Sequence, residues 1–228
     1  PRYGLGDTRI TNILTKLGYQ FDSKNRLEFM YNYYRSLQDT KLIPQTGKYL
    51  VSPAVGVKGD RDPQAVDEGT RYNHNGYLKF TSKDIFAHTD FEASAYASSL
   101  FTIYDFRKAN KKQPRWEETS GQSAVKDRKL GFRAQFDTRL VFSDNVFTNI
   151  LYGYDFLKDK TAQPLIDGRL WVPWLTSYNH APFVQTKTTL WQWLNVKVGG
   201  RYDFIRVNVP DYQVLRNRLS DPVVDVKG

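Results

Sequence analysis

The sequence predicts an all-β fold, an antiparallel transmembrane β-barrel with about eight strands in the 228 residues of the chain. Three observations predict it. Apolar and polar residues alternate over eight separate runs, and no helical period is sustained anywhere. The connections between the runs alternate between short and long, and aromatic residues are concentrated near both ends of the runs.

The alternation is clearest in residues 128–140 and 194–207. In the first run Leu130, Phe132 and Leu140 share one side, while charged and polar side chains fill the other. Successive side chains of a strand point to opposite faces, so each run is a ribbon with one apolar and one polar side. The predicted strands are 8–21, 26–37, 72–82, 91–104, 128–140, 146–157, 182–190 and 194–207.

The connections predict which end of the barrel is which. The short ones are 22–25, roughly 83–90, 141–145 and 191–193; the long ones are 38–71, 105–127 and 158–181, with a fourth from Val209 onward. Loops beyond about 12–15 residues are uncommon in compact domains. Transmembrane barrels have short turns at the periplasmic end and long loops outside, which is the pattern seen here.

Aromatic residues form two predicted bands. One lies beside the short turns and includes Tyr19, Phe21, Phe142, Phe147, Trp191 and Trp193; the other lies toward the long loops and includes Tyr31, Tyr33, Tyr152, Tyr154 and Tyr202. Such girdles mark the two interfaces of a membrane. We therefore expect the apolar sides to face lipid and the polar sides to face a water-filled lumen. The predicted lumen-facing residues include Lys129, Arg133, Arg139, Lys197, Arg201 and Asp203.

Composition narrows the chemistry further. The net charge of +9 favours an acidic partner: nucleic acid, anionic lipid or lipopolysaccharide, or a ligand that bears carboxylates. The chain has no cysteine, which excludes disulfides and thiolate chemistry. His74, His88 and His180 are scattered without metal-ligand spacing, and no nucleophile or acid/base pair is apparent, so we expect neither a metal site nor an enzyme.

Three stretches resemble the barrel repeats of TonB-dependent outer-membrane receptors: KLGYQFDSKNRLEFMYNYYRSLQDT, LVFSDNVFTNILYGYDFLKD and LNVKVGGRYDFIRVNVPDY. The likeness runs over about residues 8–212 and is closest to ferric-siderophore receptors, in particular the hydroxamate/citrate (aerobactin-type) branch. The resemblance implies a 22-stranded barrel in the bacterial outer membrane, closed by an N-terminal plug with a TonB box. Residues 1–228 would then be one partial barrel domain, with the plug and the remaining strands outside it.

The resemblance also implies partners and a function in iron transport. The partners would be a ferric siderophore, the TonB complex through the plug, and outer-membrane lipid and lipopolysaccharide, with no nucleic acid. No cofactor is expected, because iron would enter only as part of the bound chelate.

Two basic and aromatic clusters in the long connections are the predicted ligand contacts. Guanidinium groups grip carboxylates bidentately, and aromatic faces cover the chelate. The first cluster comprises Arg107, Lys111, Arg115 and Trp116, and the second comprises Arg169, Trp171, Trp174 and Tyr178. A solvated basic loop that touches lipopolysaccharide phosphates explains the first cluster equally well, and a loop packed on itself explains the second.

Other interpretations stay open at this stage. The lumen-facing cations could line a path for an anionic ligand, but ion pairs with Glu28, Asp137, Asp155 and Asp203 are favoured, since barrel interiors are polar as a class. A complete eight-stranded structural or adhesive barrel is the main alternative. A soluble β-sandwich and a single-stranded nucleic-acid binder are less favoured, because the latter leaves the apolar sides unexplained.

Overall fold

A computed structural model describes residues 8–38, 71–107, 121–165, 168–216 and 220–228. Within these ranges the chain forms one nine-stranded antiparallel sheet and one small two-stranded sheet, and it contains no helix. The strands are β1 (Thr8–Gln20), β2 (Asn25–Gln38), β3 (Arg71–Phe86), β4 (Thr89–Arg107), β5 (Gly121–Ser143), β6 (Val146–Pro164), β7 (Leu170–Leu190), β8 (Leu194–Arg201), β9 (Phe204–Asn208), β10 (Tyr212–Gln213) and β11 (Asp225–Val226). The all-β, antiparallel part of the prediction is confirmed.

The large sheet is an open meander. Strands β1 to β8 follow one another in chain order, each paired with the next, and β9 also pairs with β7. The sheet is not closed, because β1 does not pair with β8 or β9. The described strands therefore do not form the complete eight-stranded barrel that was the main alternative.

Strands β8 and β9 are one edge strand with a short interruption. The sequence predicts a single strand over 194–207, and both segments pair with β7 in one continuous register. The gap lies where Pro182 of β7 stands opposite Tyr202. Proline has no backbone N–H to donate, so only one bond of the pair forms, from the Tyr202 N–H to the Pro182 carbonyl at 3.1 Å.

The register places the predicted apolar sides of all eight runs on one face of the sheet. One lateral row of cross-strand partners runs through Leu17, Phe29, Leu78, Ala95, Phe132, Phe156, His180 and Phe204. A row on the opposite side runs through Gly18, Glu28, Lys79, Ser94, Arg133, Asp155, Ala181 and Asp203. Because side chains alternate with a period of two, one correct register per strand pair is enough to separate the faces. We call them the apolar face and the polar face.

The sheet is a single layer, and its apolar face has no partner layer among the described residues. Fully buried apolar side chains are few: Ile103, Ala124, Ala162, Leu165 and Ala181. By contrast, Phe142 is 68% exposed and Val198 is 65% exposed. A soluble sandwich needs two apolar faces packed together, which these residues do not provide. No helix in the described part of the chain is long and apolar enough to cross a membrane.

The predicted long connection 158–181 is wrong. Strand β6 continues to Pro164 and β7 begins at Leu170, so the two strands are joined across Leu165 and Arg169. The Leu165 N–H donates to the Arg169 carbonyl at 2.8 Å. The segment KDKTAQP is polar on both sides, so it lacks the alternation that marks a strand, although Lys158 to Thr161 pair in register with β7 and Gln163 and Pro164 pair with it after register shifts.

The other connections divide into those that the structure describes and those it does not. The short connections are confirmed as turns at 21–24, 87–88, 144–145 and 191–193. The predicted long connections 38–71 and 105–127 lie for the most part outside the described residues. Strand β5 begins at Gly121, seven positions before the predicted start at Arg128.

Candidate functional site

The polar face carries a network of two arginines and two aspartates near the middle of the sheet. The Arg133 guanidinium donates to both carboxylate oxygens of Asp155, from Nε at 2.5 Å and from Nη2 at 2.8 Å. Arg201 donates from Nη1 to Asp155 and from Nη2 to Asp203 at 3.0 Å. Strands β5, β6 and β8 are therefore linked by one shared carboxylate, which is 15% exposed.

A small residue makes this reach possible. Ala181 of β7 lies between Asp155 and Asp203 in the lateral row, and it is fully buried. Because its side chain is a single methyl group, Arg201 can extend across β7 to the carboxylate on β6. A longer side chain at this position would stand between the two strands.

The network leaves no net positive charge for an anionic ligand. Two guanidinium groups face two carboxylates, and Asn179 Nδ2 also donates to Asp203 at 2.8 Å. A concavity of about 390 Å³ adjoins the network and is lined in part by Ser94, Tyr96 and Asn179. The side-chain oxygen of Asn179 is buried there and has no hydrogen-bond partner, so it is available as an acceptor.

Three other cations of this face are also paired, of which Lys129 is one of the predicted lumen-facing residues. Lys129 lies 3.2 Å from Asp127 and 3.5 Å from Asp159, Lys16 lies 3.4 Å from Glu28, and Lys79 lies 3.3 Å from Glu92. The predicted partner Asp137 forms no ion pair with any described residue. Ion pairing, rather than a continuous cationic path, is the arrangement over the middle of the polar face.

Nearer the short turns, the polar face carries three cations in one row. Arg139, Asn149, Lys187 and Lys197 are successive cross-strand partners on β5 to β8. None of the three cations forms an ion pair within the described ranges, and the Asn149 side-chain oxygen is buried without a hydrogen-bond partner. The excess positive charge of this face is therefore concentrated here.

Sequence reasoning missed Lys187, although a signal for it was present. The turn at Trp191, Gln192 and Trp193 fixes the register of β7 and β8, which puts Lys187 directly opposite Lys197. The sequence places Phe147 in the aromatic band beside the short turns, on the apolar side of its strand. That side is wrong. The Phe147 ring lies 4.9 Å from the Arg139 guanidinium, on the polar face.

The structure describes the backbone of five of the eight predicted ligand contacts. Arg107 is the last residue of β4, while Lys111, Arg115 and Trp116 lie outside the described residues. The loop placement of three residues of the second cluster is wrong, because Trp171, Trp174 and Tyr178 lie within β7, whereas Arg169 does lie in the connection between β6 and β7.

Trp174 and Tyr178 lie on the apolar face, in the alternation that also contains His180. Lys160 Nζ stands 4.9 Å from the centroid of the Trp174 ring, and Lys158 Nζ stands 5.5 Å from that of Tyr178. These two aromatic residues therefore lie on the side of the sheet opposite to the Arg133 network.

Two of the histidines have a structural role that their spacing did not indicate. Tyr31 is hydrogen-bonded to His74 Nδ1 at 2.8 Å, and Tyr154 is hydrogen-bonded to His180 Nδ1. In both cases the histidine lies across from an aromatic residue two positions after the tyrosine, Tyr33 or Phe156. No group of acidic and histidine side chains in the described ranges could hold a metal ion.

The sequence matches no model of a known protein family.

Proposed function

We propose that this chain is part of the β-barrel wall of an outer-membrane TonB-dependent receptor that takes up ferric siderophores. The observation that carries the proposal is the alignment of apolar side chains on one face of a single-layer sheet, across every strand from β1 to β9.

An apolar face of this extent is unfavourable in water. Each Å² of apolar surface removed from water contributes roughly 25 cal/mol, and a bilayer removes it without a second protein layer. On β5 the apolar face runs from Leu130 to Leu140, which fits the roughly 9–11 residues that a barrel strand needs to cross the hydrocarbon core. The opposite face, with its ion pairs, is suited to a polar lumen.

The open edges support a segment of a larger barrel over a complete small one. An exposed edge strand presents a row of unpaired backbone groups, which barrels abolish by closure. Under the proposal, further strands of the receptor pair with β1 and with the β8–β9 edge. The assignment to ferric siderophores rests on the sequence resemblance and on the basic residues between β4 and β5.

Within this proposal, ligand capture is assigned to the basic connection rather than to the wall. Arg133 and Arg201 are already paired with Asp155 and Asp203, so their charges are neutralised within the wall. Arg107 and Arg115 are the predicted capture residues, because Arg107 ends β4 at the edge of the sheet away from the short turns, where an incoming chelate would arrive.

Equilibrium binding of a panel of ferric siderophores to the purified full-length receptor tests this division. Replacing Arg107 and Arg115 together by Ser should weaken binding at least tenfold, about 1.4 kcal/mol, since two charge-assisted contacts are lost. Arg133→Gln is the control: it should lower the unfolding midpoint and leave the affinity unchanged. Unchanged binding in the double variant, with lost binding in a normally stable Arg133→Gln variant, would move the ligand site to the lumen wall.

A further inference from the structure

The apolar face ends, on the side away from the short turns, in a belt of cations. The cationic belt comprises Arg35, Lys126, Arg128, Lys158, Lys160 and Arg206. Their positions alternate in step with the apolar residues of the same strands; Arg128, for example, is followed by Leu130 and Phe132 on the same side of β5. The belt extends from β2 to β9.

Two of these cations share one aromatic ring. The Arg128 guanidinium carbon lies 5.9 Å from the centroid of Trp174, and Lys160 Nζ lies 4.9 Å from it. Arg128 and Lys160 are also direct cross-strand partners. Like charges placed directly opposite one another are destabilising, so this pair favours the binding of an anion between them.

The same arrangement recurs along the belt. Lys126 Nζ lies 5.8 Å from the Phe101 ring, and the Arg35 guanidinium lies 5.5 Å from the Tyr72 ring. The Nε of Arg35 is buried and has no hydrogen-bond partner. Aromatic faces hold the cations against the sheet while leaving their N–H groups free to bind an acceptor.

No carboxylate neutralises the belt within the described part of the chain. The aspartates of the same stretches, Asp127, Asp155 and Asp159, alternate onto the polar face, where they pair with Lys129 and Arg133. None of the six belt cations forms an ion pair with a described residue. The belt is therefore positively charged and uncompensated, at the border of an apolar surface.

We propose that the cationic belt binds the phosphate groups of anionic lipids. The inference rests on the proposed membrane-facing role of the apolar face and identifies a lipid class that this face recognises. Headgroup phosphates lie just outside the hydrocarbon core, and the belt lies just beyond the apolar residues that would span that core. Long basic side chains extend from such a position toward the headgroups, and clusters of them recognise anionic lipids.

The test is lipid binding to the full-length protein, purified in a neutral detergent, with native mass spectrometry as the readout. Phosphatidylglycerol is titrated as the anionic probe and phosphatidylcholine as the neutral one. Arg128→Gln with Lys160→Gln should weaken binding of phosphatidylglycerol at least fivefold and leave phosphatidylcholine unchanged. Lys158→Gln with Arg206→Gln, one row nearer the apolar residues, should also weaken binding of phosphatidylglycerol. This second variant replaces the first if the first does not fold.

The matched control is Lys187→Gln with Lys197→Gln, which removes the same charge from the polar face. It should leave phosphatidylglycerol binding within twofold of the unsubstituted protein. Equal losses in the belt and control variants would show a non-specific effect of net charge and overturn the inference, as would equal binding of the two lipids by the unsubstituted protein.

Reconstitution into phosphatidylcholine vesicles separates this inference from the proposed function. A protein that inserts into these vesicles but shows no preference for phosphatidylglycerol overturns the belt assignment alone. A protein that does not insert overturns the membrane-facing role and the belt assignment together.

Discussion

At the scale of single residues, small side chains shape the polar face. A Cβ atom added to Gly131 would lie 2.0 Å from the ring of Tyr96, its cross-strand partner on β4. An aromatic ring that covers a glycine on the neighbouring strand stabilises a sheet at a position where the glycine alone would weaken it. Gly131 thus fixes the place of Tyr96 beside the Arg133 network, as Ala181 fixes the reach of Arg201.

Gly131→Ala should therefore destabilise the protein. The methyl group forces the Tyr96 ring away from β5, and overpacking of this kind costs about 1–3 kcal/mol. The measurement is urea unfolding of the full-length protein in detergent. Gly200→Ala is the control, because a Cβ there meets nothing within 4 Å. Adding Tyr96→Ala to Gly131→Ala should recover part of the loss; a double variant that is simply additive would mean that the ring is not the obstacle.

At the scale of elements, the turn between β1 and β2 is organised by one carboxylate. Asp22 Oδ1 accepts the backbone N–H groups of Lys24 at 2.7 Å and Asn25 at 2.8 Å, and Asp22 Oδ2 accepts from the Asn25 side chain at 2.7 Å. These bonds favour the ionised form, so they lower the pKa of Asp22, with the Asn25 side chain as the largest cause.

The lowered pKa predicts a pH dependence of stability. A carboxylate whose pKa is lower in the folded state contributes stability above its ordinary pKa of about 3.9, and this contribution is lost as the pH falls through the lowered value. Asp22→Asn keeps one acceptor oxygen but no charge. The difference in unfolding free energy between the unsubstituted protein and Asp22→Asn should thus be larger at about pH 6 than well below pH 3.9. An equal difference at both pH values would show that ionisation of Asp22 does not stabilise the turn.

The sequence predicts those elements whose two sides differ and misses those whose sides are alike. Strands β1 and β2 were predicted nearly to their ends because Leu17, Tyr19 and Phe29 alternate with polar residues over their whole length. The end of β6 was missed because Lys158 and Lys160 occupy the apolar face there. The start of β7 was missed because apolar residues follow one another there without alternation, as in Leu170, Trp171 and Val172. Alternation indicates a strand only where one side is apolar.

In the network of arginines and aspartates on the polar face, too, the sequence predicts only what local alternation determines. The faces of Arg133, Arg201 and Asp203 could be predicted, because a face depends only on local alternation. The bond from Arg201 to Asp155 could not, since it joins two strands that are not neighbours and depends on the registers of β6, β7 and β8 together.

At the scale of the whole molecule, the sheet is a wall with two chemically different sides. The polar side is bound together laterally by ion pairs such as Lys79–Glu92 and Arg133–Asp155. The apolar side carries aromatic contacts instead, including Phe91–Phe136 at 4.9 Å and Phe136–Tyr152 at 5.4 Å. Under the membrane-facing role proposed for the apolar face, the two sides of this wall meet two different solvents.

Introducing one charge on each side of β5 tests which solvents these are. Phe132 belongs to the lateral apolar row and is 41% exposed, while Gln135, three positions on, lies on the polar face with its Nε2 atom 3.5 Å from Glu92 Oε1. If the apolar face contacts hydrocarbon, Phe132→Arg should lower the free energy of unfolding of the full-length protein in lipid vesicles by about 2–4 kcal/mol. Gln135→Arg should lower it far less, because the new guanidinium is hydrated and stands beside the Glu92 carboxylate.

Both variants add one arginine to the same strand, so the difference between them measures the surroundings of the two faces. Equal losses would place both faces in the same solvent and contradict the membrane-facing role, and a larger loss for Gln135→Arg would exchange the two faces.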